Sequence, residues 1–596
     1  MHSHIKRFAA AVALMAGICT LQAGSATWNL SPVNNHWSKA ANWTPATVPY
    51  GEGDVASFGV SSIIDVVLGD APNGTDATNI VGDIVFSVGA SAYTFTLSPT
   101  TESYFPTILE FHGAGITNNS GVAQNFIATR SDTKNSGRFY FLNSASAGEN
   151  VVITNQGGNN VTGGAYGAFT QFWDYSTAGQ ATFVNEGGQV SGTIYGGVTD
   201  LLDYSSAESA TFINEPGAIS GAAAGHTFVG TSPPGNIGTS TFINNAAAVP
   251  GAEGGWTEID GGVSEGATFL AEGATVADAQ GGQVYAFGGD GYSTYTADGG
   301  NGTNAQGGVI DVLYVPASDQ TVVTANGGTS GGLGGTILIE DSADIPLPQF
   351  QVFGNGVLDL TNVTDPTMPI GSLAGDGMVL LAGHTLSVGN NNLNTTFSGV
   401  IQDSGALAKA GTGTLTLTGA NTHTGGTTVS AGTLIASNRS GSATGTGSVN
   451  VNAGTLGGKG IIQGAVTLGT GNGAGAVLGP SVGSNQPARL TLKKTLTFKA
   501  DSNYTYKLNT NNARADQVIA KGVTIESGAQ FDFQAVANKR LTSGTVFTAI
   551  SNTSANPISG TFANLPDGST FTVGRNNFQV SYSGGDGNDL TLAVVP

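Results

Sequence analysis

Thr182-Phe183-Val184-Asn185 returns as Thr211-Phe212-Ile213-Asn214 and as Thr241-Phe242-Ile243-Asn244, with Val152-Ile153-Thr154-Asn155 as a looser first copy. The second positions, Ile153, Phe183, Phe212 and Phe242, keep a nearly constant step. A second landmark keeps the same step: Val161-Thr162-Gly163, Val190-Ser191-Gly192, Ile219-Ser220-Gly221 and Val249-Pro250-Gly251. So does a third, Asp174-Tyr175-Ser176 and Asp203-Tyr204-Ser205. A fixed period in this range marks a repeat architecture. Strand-forming residues bounded by Gly-rich turns make the unit strand and turn, which selects a β-solenoid over helical repeats. One coil cannot bury its inward side chains alone. A second coil stacked about 4.8 Å away closes the backbone ladders and sets like residues over like. Phe183, Phe212 and Phe242 are then expected to stack inward. The recurrent asparagines are expected to form an amide ladder, and Gly163, Gly192, Gly221 and Gly251 to hold corners.

Period-two alternation continues outside the repeats, at Thr412 to Thr418, Leu490 to Phe498, Tyr504 to Leu508 and Leu590 to Val594. No 12-residue stretch after residue 26 has a convincing helical apolar period. Composition agrees. Glycine supplies 92 of 596 residues without a three-residue period, so collagen is excluded. Charged residues are only 10%, which argues against a charge-rich disordered chain. Lys+Arg 19 against Asp+Glu 40 leaves −21, and no basic stripe of the kind nucleic acid requires.

Residues 1–26 read as a secretory signal peptide. Lys6 and Arg7 precede an apolar core from Phe8 to Leu21, and Gly24-Ser25-Ala26 is a small-residue cleavage site. The single cysteine, Cys19, lies inside it after Ile18, a poor lipidation context. The mature chain is therefore expected to use no disulfide and no cysteine-bound metal. No later run approaches the length of a membrane-spanning apolar segment, so no transmembrane helix is expected.

Three zones carry a resemblance. Thr395 to Ile401, the run Leu407-Ala408-Lys409-Ala410-Gly411-Thr412-Gly413-Thr414-Leu415-Thr416-Leu417-Thr418-Gly419-Ala420-Asn421-Thr422-His423-Thr424-Gly425-Gly426-Thr427-Thr428-Val429, and Ala431 to Leu434 resemble the autotransporter-associated β-strand repeat. His423 stands where that family usually has tyrosine. Trp37-Ser38-Lys39-Ala40-Ala41-Asn42-Trp43, with Pro49 and Asp54 to Phe58, looks like the mature start of proteins carrying this repeat, and Ile558 to Leu592 like their tail. The resemblance implies a right-handed parallel β-helix exported from a Gram-negative-type cell. It departs from an autotransporter in lacking any stretch like the C-terminal membrane barrel. The chain stops at Val594-Val595-Pro596, where many similar tails continue into a sorting signal. A self-transporter is therefore not expected.

The chemistry-bearing patterns are sparse. Gly584-Gly585-Asp586-Gly587-Asn588-Asp589 fits a calcium-binding nonapeptide, but one copy lacks the neighbouring turn that completes the ligand set. Gly288-Gly289-Asp290-Gly291 is a partial echo. A polysaccharide lyase needs a base and cations, and the whole stretch from Phe139 to Ala408 contains no Lys or Arg. A solenoid hydrolase needs only two carboxylates. Asp174 with Asp203, and Glu186 with Glu215, are placed a period apart to supply them, although a solvated acidic face is the plainer reading. The histidines show no zinc spacing. Gly262 to Gly266 and Gly328 to Gly332 fit G-x-S-x-G without the helix a nucleophile elbow needs. Trp28, Trp37 and Trp43 suit an end cap better than a sugar platform. Trp173 and Trp256 read as core or corner packing.

The expected layout is an N-terminal cap with entry strands at 27–105, loose β-helix repeats at 106–345, the family repeat at 346–436, and a C-terminal β-helix and cap at 437–596. At the family's usual coil length, the rod would span about 100 Å. The basic residues of the last region read as a solvated face. The functional expectation is a non-enzymatic, secreted or cell-surface β-helix with a structural or adhesive role. The alternatives are a glycan-binding surface module and, behind it, a solenoid glycoside hydrolase. No catalytic, cofactor or metal residue is nominated. Surface polysaccharide or other cell-surface components are the expected partners, nucleic acid is not, and poorly capped ends could stack rod on rod.

Overall fold

The computed structural model describes residues 24–69, 78–98, 106–130, 136–159, 167–192, 196–231, 235–288, 290–313, 318–341, 347–473 and 475–596. The signal segment through residue 23 and the Val161-Thr162-Gly163 landmark lie outside them. The described chain is strand, turn and loop, with one 3-10 turn at Ala40–Asn42. It is a β-solenoid. A first sheet of 16 strands runs from the N-terminal end to Val400–Gln402. A second ladder starts at Asp65–Leu68 and climbs in parallel register to Gln530–Ala535, without closing on itself. A third sheet of 8 strands begins at Thr367–Ile370, and a fourth of 7 at Ile461–Ile462. The ends differ from the body. Ala26–Trp28 pairs antiparallel with Trp43–Thr44, and the last strands, Thr570–Val573, Asn576–Gly584 and Asp589–Val595, form an antiparallel meander. Antiparallel ends close ladders that would otherwise template another chain.

One sequence period is one coil. Phe183 pairs with Phe212, and Phe212 with Phe242. Their rings stack 5.0 and 4.7 Å apart, and the column continues through Phe269 and Tyr295 at 4.6 and 4.8 Å. All are buried. A second inward column, Phe111, Phe141 and Phe172, stacks at 4.6 and 4.7 Å. The asparagines two positions further on form the expected ladder, fully buried at the strand ends. Asn155 donates to Asn185, Asn185 to Asn214, and Asn214 to Asn244, at 2.9, 2.8 and 2.8 Å. Thr170, Thr199, Thr227 and Thr257 each donate a hydroxyl to one asparagine oxygen, at 2.9 to 3.0 Å. Every amide is thus satisfied inside the core, where an unmet one would be costly.

The repeats are longer than the family's usual coil, and the reason is a loop. Its residues 186–192 and 196–197 lie between the second-sheet strand that ends at Asn185 and the first-sheet strand that starts at Val198. Its stacked equivalents share a small alanine core, Ala247, Ala252, Ala274, Ala279 and Ala305. Each loop ends on a glycine pressed against the backbone of the asparagine column. A Cβ on Gly197, Gly225, Gly255 or Gly282 would overlap the carbonyl of Asn155, Asn185, Asn214 or Asn244. Gly192, Gly221 and Gly251 hold the expected corners with φ of 78°, 74° and 75°. After Phe397 only Ser398-Gly399 joins the second sheet to the first, and strands of the third sheet replace the isolated bridges of the earlier coils.

Candidate functional site: an aromatic and acidic lateral face

Strands of the first sheet alternate inward and outward, so every second residue faces away from the core. Register fixes what stacks outside. One outward column reads Arg138, Phe169, Val198, His226, Trp256 and Gln283. The next reads Tyr140, Gln171, Asp200, Phe228, Glu258, Tyr285 and Asp311. From Asp200 to Asp311 carboxylates and rings alternate rung by rung. Carboxylates therefore recur every second rung, roughly 10 Å apart, with one ring between. Trp256 belongs here, which corrects its reading as core or corner. In Trp256–Ile259 the inward positions are Thr257 and Ile259, so the indole must face out.

The side chains hold one another in place. Arg138 lies 4.3 Å over the Phe169 ring and donates to Tyr140 at 3.1 Å. Gln171 donates to Asp200 at 2.8 Å. His226 and Trp256 stack at 4.1 Å with rings nearly parallel, and Tyr285 meets Trp256 edge-on at 6.0 Å. Packing raises the acids. Burial lifts the Asp200 carboxyl against the Gln171 hydrogen bond, and lifts Glu258 together with nearby Asp260. Burial, then Glu340, pushes Asp311 up to about 6. Burial drops His226 to about 4. The next corner adds two exposed rings, Tyr175 and Tyr204, stacked at 5.2 Å.

The acids nominated from sequence sit elsewhere. Asp174, in an exposed turn, and Asp203, at the exposed end of the strand Val198–Asp203, take φ of 56° and 54° beside the stacked tyrosines. The Asp174 carboxylate accepts the Asn143 N–H at 3.0 Å. Glu186 and Glu215 follow the asparagine ladder one rung apart, and the same column continues with Asn245, Glu272, Asp298 and Asn326. Burial raises Glu186, with Arg130 opposing and Glu215 adding. Asn326 donates to Asp298 at 2.7 Å. This is a mixed acid and amide corner.

Other motifs resolve as structure. Trp28, Trp37 and Trp43 are buried, pack edge to face at 5.1 and 4.9 Å, and cover Phe58. Gly584 to Asp589 form the turn of an antiparallel hairpin, and Asp589 accepts the Asn552 N–H at 2.8 Å. Ser264 is buried in Val263–Ala271 and donates to the Tyr292 carbonyl at 2.7 Å. Ser330 is an exposed loop residue at φ 55°. Among the described residues no group of His, Asp and Glu converges as a metal site. None of their helices is long and apolar enough to cross a membrane.

One family model matches, the passenger-associated-transport-repeat, over residues 407–436. The chain carries that repeat. Its strands are Ala406–Lys409, Thr414–Leu417, Thr427–Val429 and Thr433–Ala436, one short coil and its successor. Within it Lys409 is buried and donates to the carbonyls of Ala410 and Gly411, tying the corner. His423, where the family usually has tyrosine, is fully buried beside Thr427, 3.1 Å away. Among solved structures, the Hap adhesin of Haemophilus influenzae aligns over 91% of this chain at 11% identity and a TM-score of 0.24. The chain spans 64% of that adhesin's length. No curated protein matches the chain.

Proposed function

We propose that the protein is an exported, non-enzymatic β-helical rod, displayed at or released from the cell surface, that adheres to glycan through the outward face of the first sheet. The carrying observation is the column Asp200, Phe228, Glu258, Tyr285, Asp311, flanked by Trp256. A sugar ring offers apolar C–H faces and a rim of hydroxyls. Aromatic faces suit the first, and carboxylates and amides the second. The acids favour uncharged chains over anionic ones. The transport repeat and the signal-like N-terminus support export.

The test is incubation of the mature chain with uncharged polysaccharides, scoring pull-down and reducing-end release. Binding without new ends is expected, weakened about tenfold by Trp256→Ala and less by the pair Tyr175→Ala and Tyr204→Ala. New ends that vanish with Glu186→Gln or Asp174→Asn would make the protein a hydrolase. Absence of binding would leave a structural rod without this adhesive face.

A further inference from the structure

Where the second and fourth sheets meet, the surface opens into a groove of about 1140 Å³. Arg439, Lys459 and Arg489 line it, and all three are exposed. The rest of the lining is hydroxyl, amide, small and aliphatic, with no carboxylate. The cations arrive on successive passes of the chain. Arg439 follows Thr433–Ala436, and Lys459 follows its parallel neighbour Gly454–Gly458. Ile461 pairs with Thr491, which sets Arg489 a rung from Lys459.

Among the described residues, the ion pairs are His112 with Glu52 and Glu110, and Lys499 with Glu526. The groove cations have none. Like charges gathered on adjacent rungs repel. A chain with 40 acidic and 19 basic residues has carboxylates to spare, yet none lines the groove.

The groove is also built. Its outer wall is residues 480–488, and buried Asp516 holds both ends of it. One carboxylate oxygen accepts from the Ser481 hydroxyl at 2.7 Å and the other from the Ala488 N–H at 2.8 Å. Lys507, expected to lie on a solvated face, instead donates to the carbonyls of Ser481 and Ser484 at 3.2 and 2.7 Å. A wall fixed before binding spares the ligand the entropy of ordering it.

We propose that this groove binds an anion-bearing polysaccharide. Its sulfate, carboxylate or phosphate groups meet Arg439, Lys459 and Arg489, and its hydroxyls meet Ser437, Ser440 and Gln486. A lone anion would leave most of the groove empty. A single-stranded nucleic acid would want aromatic rings for its bases, and none lines the groove. The site is separate from the lateral face of the first sheet, lies C-terminal to it in the chain, and selects anionic instead of uncharged glycan.

The experiment uses the mature full-length chain with heparin, polygalacturonate and uncharged dextran as probes, at low and high salt. Heparin and polygalacturonate should bind, and salt should weaken both. Each of Arg439→Gln, Lys459→Gln and Arg489→Gln should lower heparin affinity up to about 5-fold, the range of an exposed ion pair. The triple variant should lower it roughly 30-fold or more, without changing any dextran binding. Lys539→Gln with Arg540→Gln, exposed and outside the groove, should change nothing. Equal heparin affinity in the triple variant would overturn the proposal. So would duplex DNA outcompeting heparin. So would self-association that the triple variant abolishes while heparin binding persists, because the groove would then serve the acidic face of a second copy.

Discussion

Phe183 sits beneath its partner Phe212, and Leu415 beneath its partner Leu434, yet the chain takes about half as long again to travel between the first pair as between the second. Both steps climb one strand spacing. The extra length of the long coil leaves the cylinder as a Gly- and Ala-rich loop between the second and first sheets. The coil before the short pair turns that corner through Ser398-Gly399 alone, and the short coil itself passes from Thr414–Leu417 to the third-sheet strand Thr427–Val429. The interiors differ accordingly. Long coils stack aromatic rings and an amide ladder, while short coils stack Leu415, Leu434, Leu456 and Leu478. A solenoid thus separates rise, which backbone pairing fixes, from girth, which the loops set.

The largest way to break the comparison is Gly255→Val. Its Cβ has no room against the Asn214 carbonyl, so a loss of at least about 3 kcal/mol is expected. Stability in stacked repeats is largely nearest-neighbour. Limited proteolysis should therefore cut the long coils first and leave residues 407–436 protected. Equal loss in both halves would show that the two coil types unfold as one unit.

A smaller effect tests the amide ladder. Asn214→Ala removes the acceptor of Asn185 and of Thr227, and should cost about 1–3 kcal/mol in chemical unfolding. Asn244→Ala should cost less. It ends the ladder, and Ala271, Ala297 and Ala325 continue its column.

The last test is confined to acid pH. Burial holds folded His226 near 4, below its unfolded value of about 6.5. The unfolded chain then binds a proton that the folded chain refuses. Stability from this group is full above pH 6.5 and falls as pH drops toward 4. His226→Phe should flatten that part of the unfolding profile, while Lys409→Met, in a short coil, should leave it unchanged.

The inward columns were legible because parallel stacking without offset sets each residue over its equivalent, so a buried ring or amide favours its own kind. Phe183, Phe212 and Phe242 repeat for that reason. The outward face carries no such constraint. Arg138, Phe169, Val198, His226 and Trp256 share a column yet repeat no residue type, so no repeat betrays them. Tyr175 and Tyr204 were visible as a landmark, but the neighbouring aspartates drew the functional reading. The doublets Gly196-Gly197, Gly254-Gly255 and Gly281-Gly282 were a signal for the pressed loop ends. The groove left no signal at all. Arg439, Lys459 and Arg489 are spread through unrelated sequence, and only the folded passes bring them together.

Register without offset has one more consequence. Phe183 and Phe212 occupy the same place in successive coils, so deleting 183–211 joins Thr182 directly to Phe212, and the seam matches what was there before. Such a protein can gain or lose length in whole coils, as a brick wall loses a course, with both caps and the basic groove intact and the lateral face one rung shorter. Natural variants of this rod should differ by integral numbers of coils, and reach, not shape, is the property that recombination can most easily adjust.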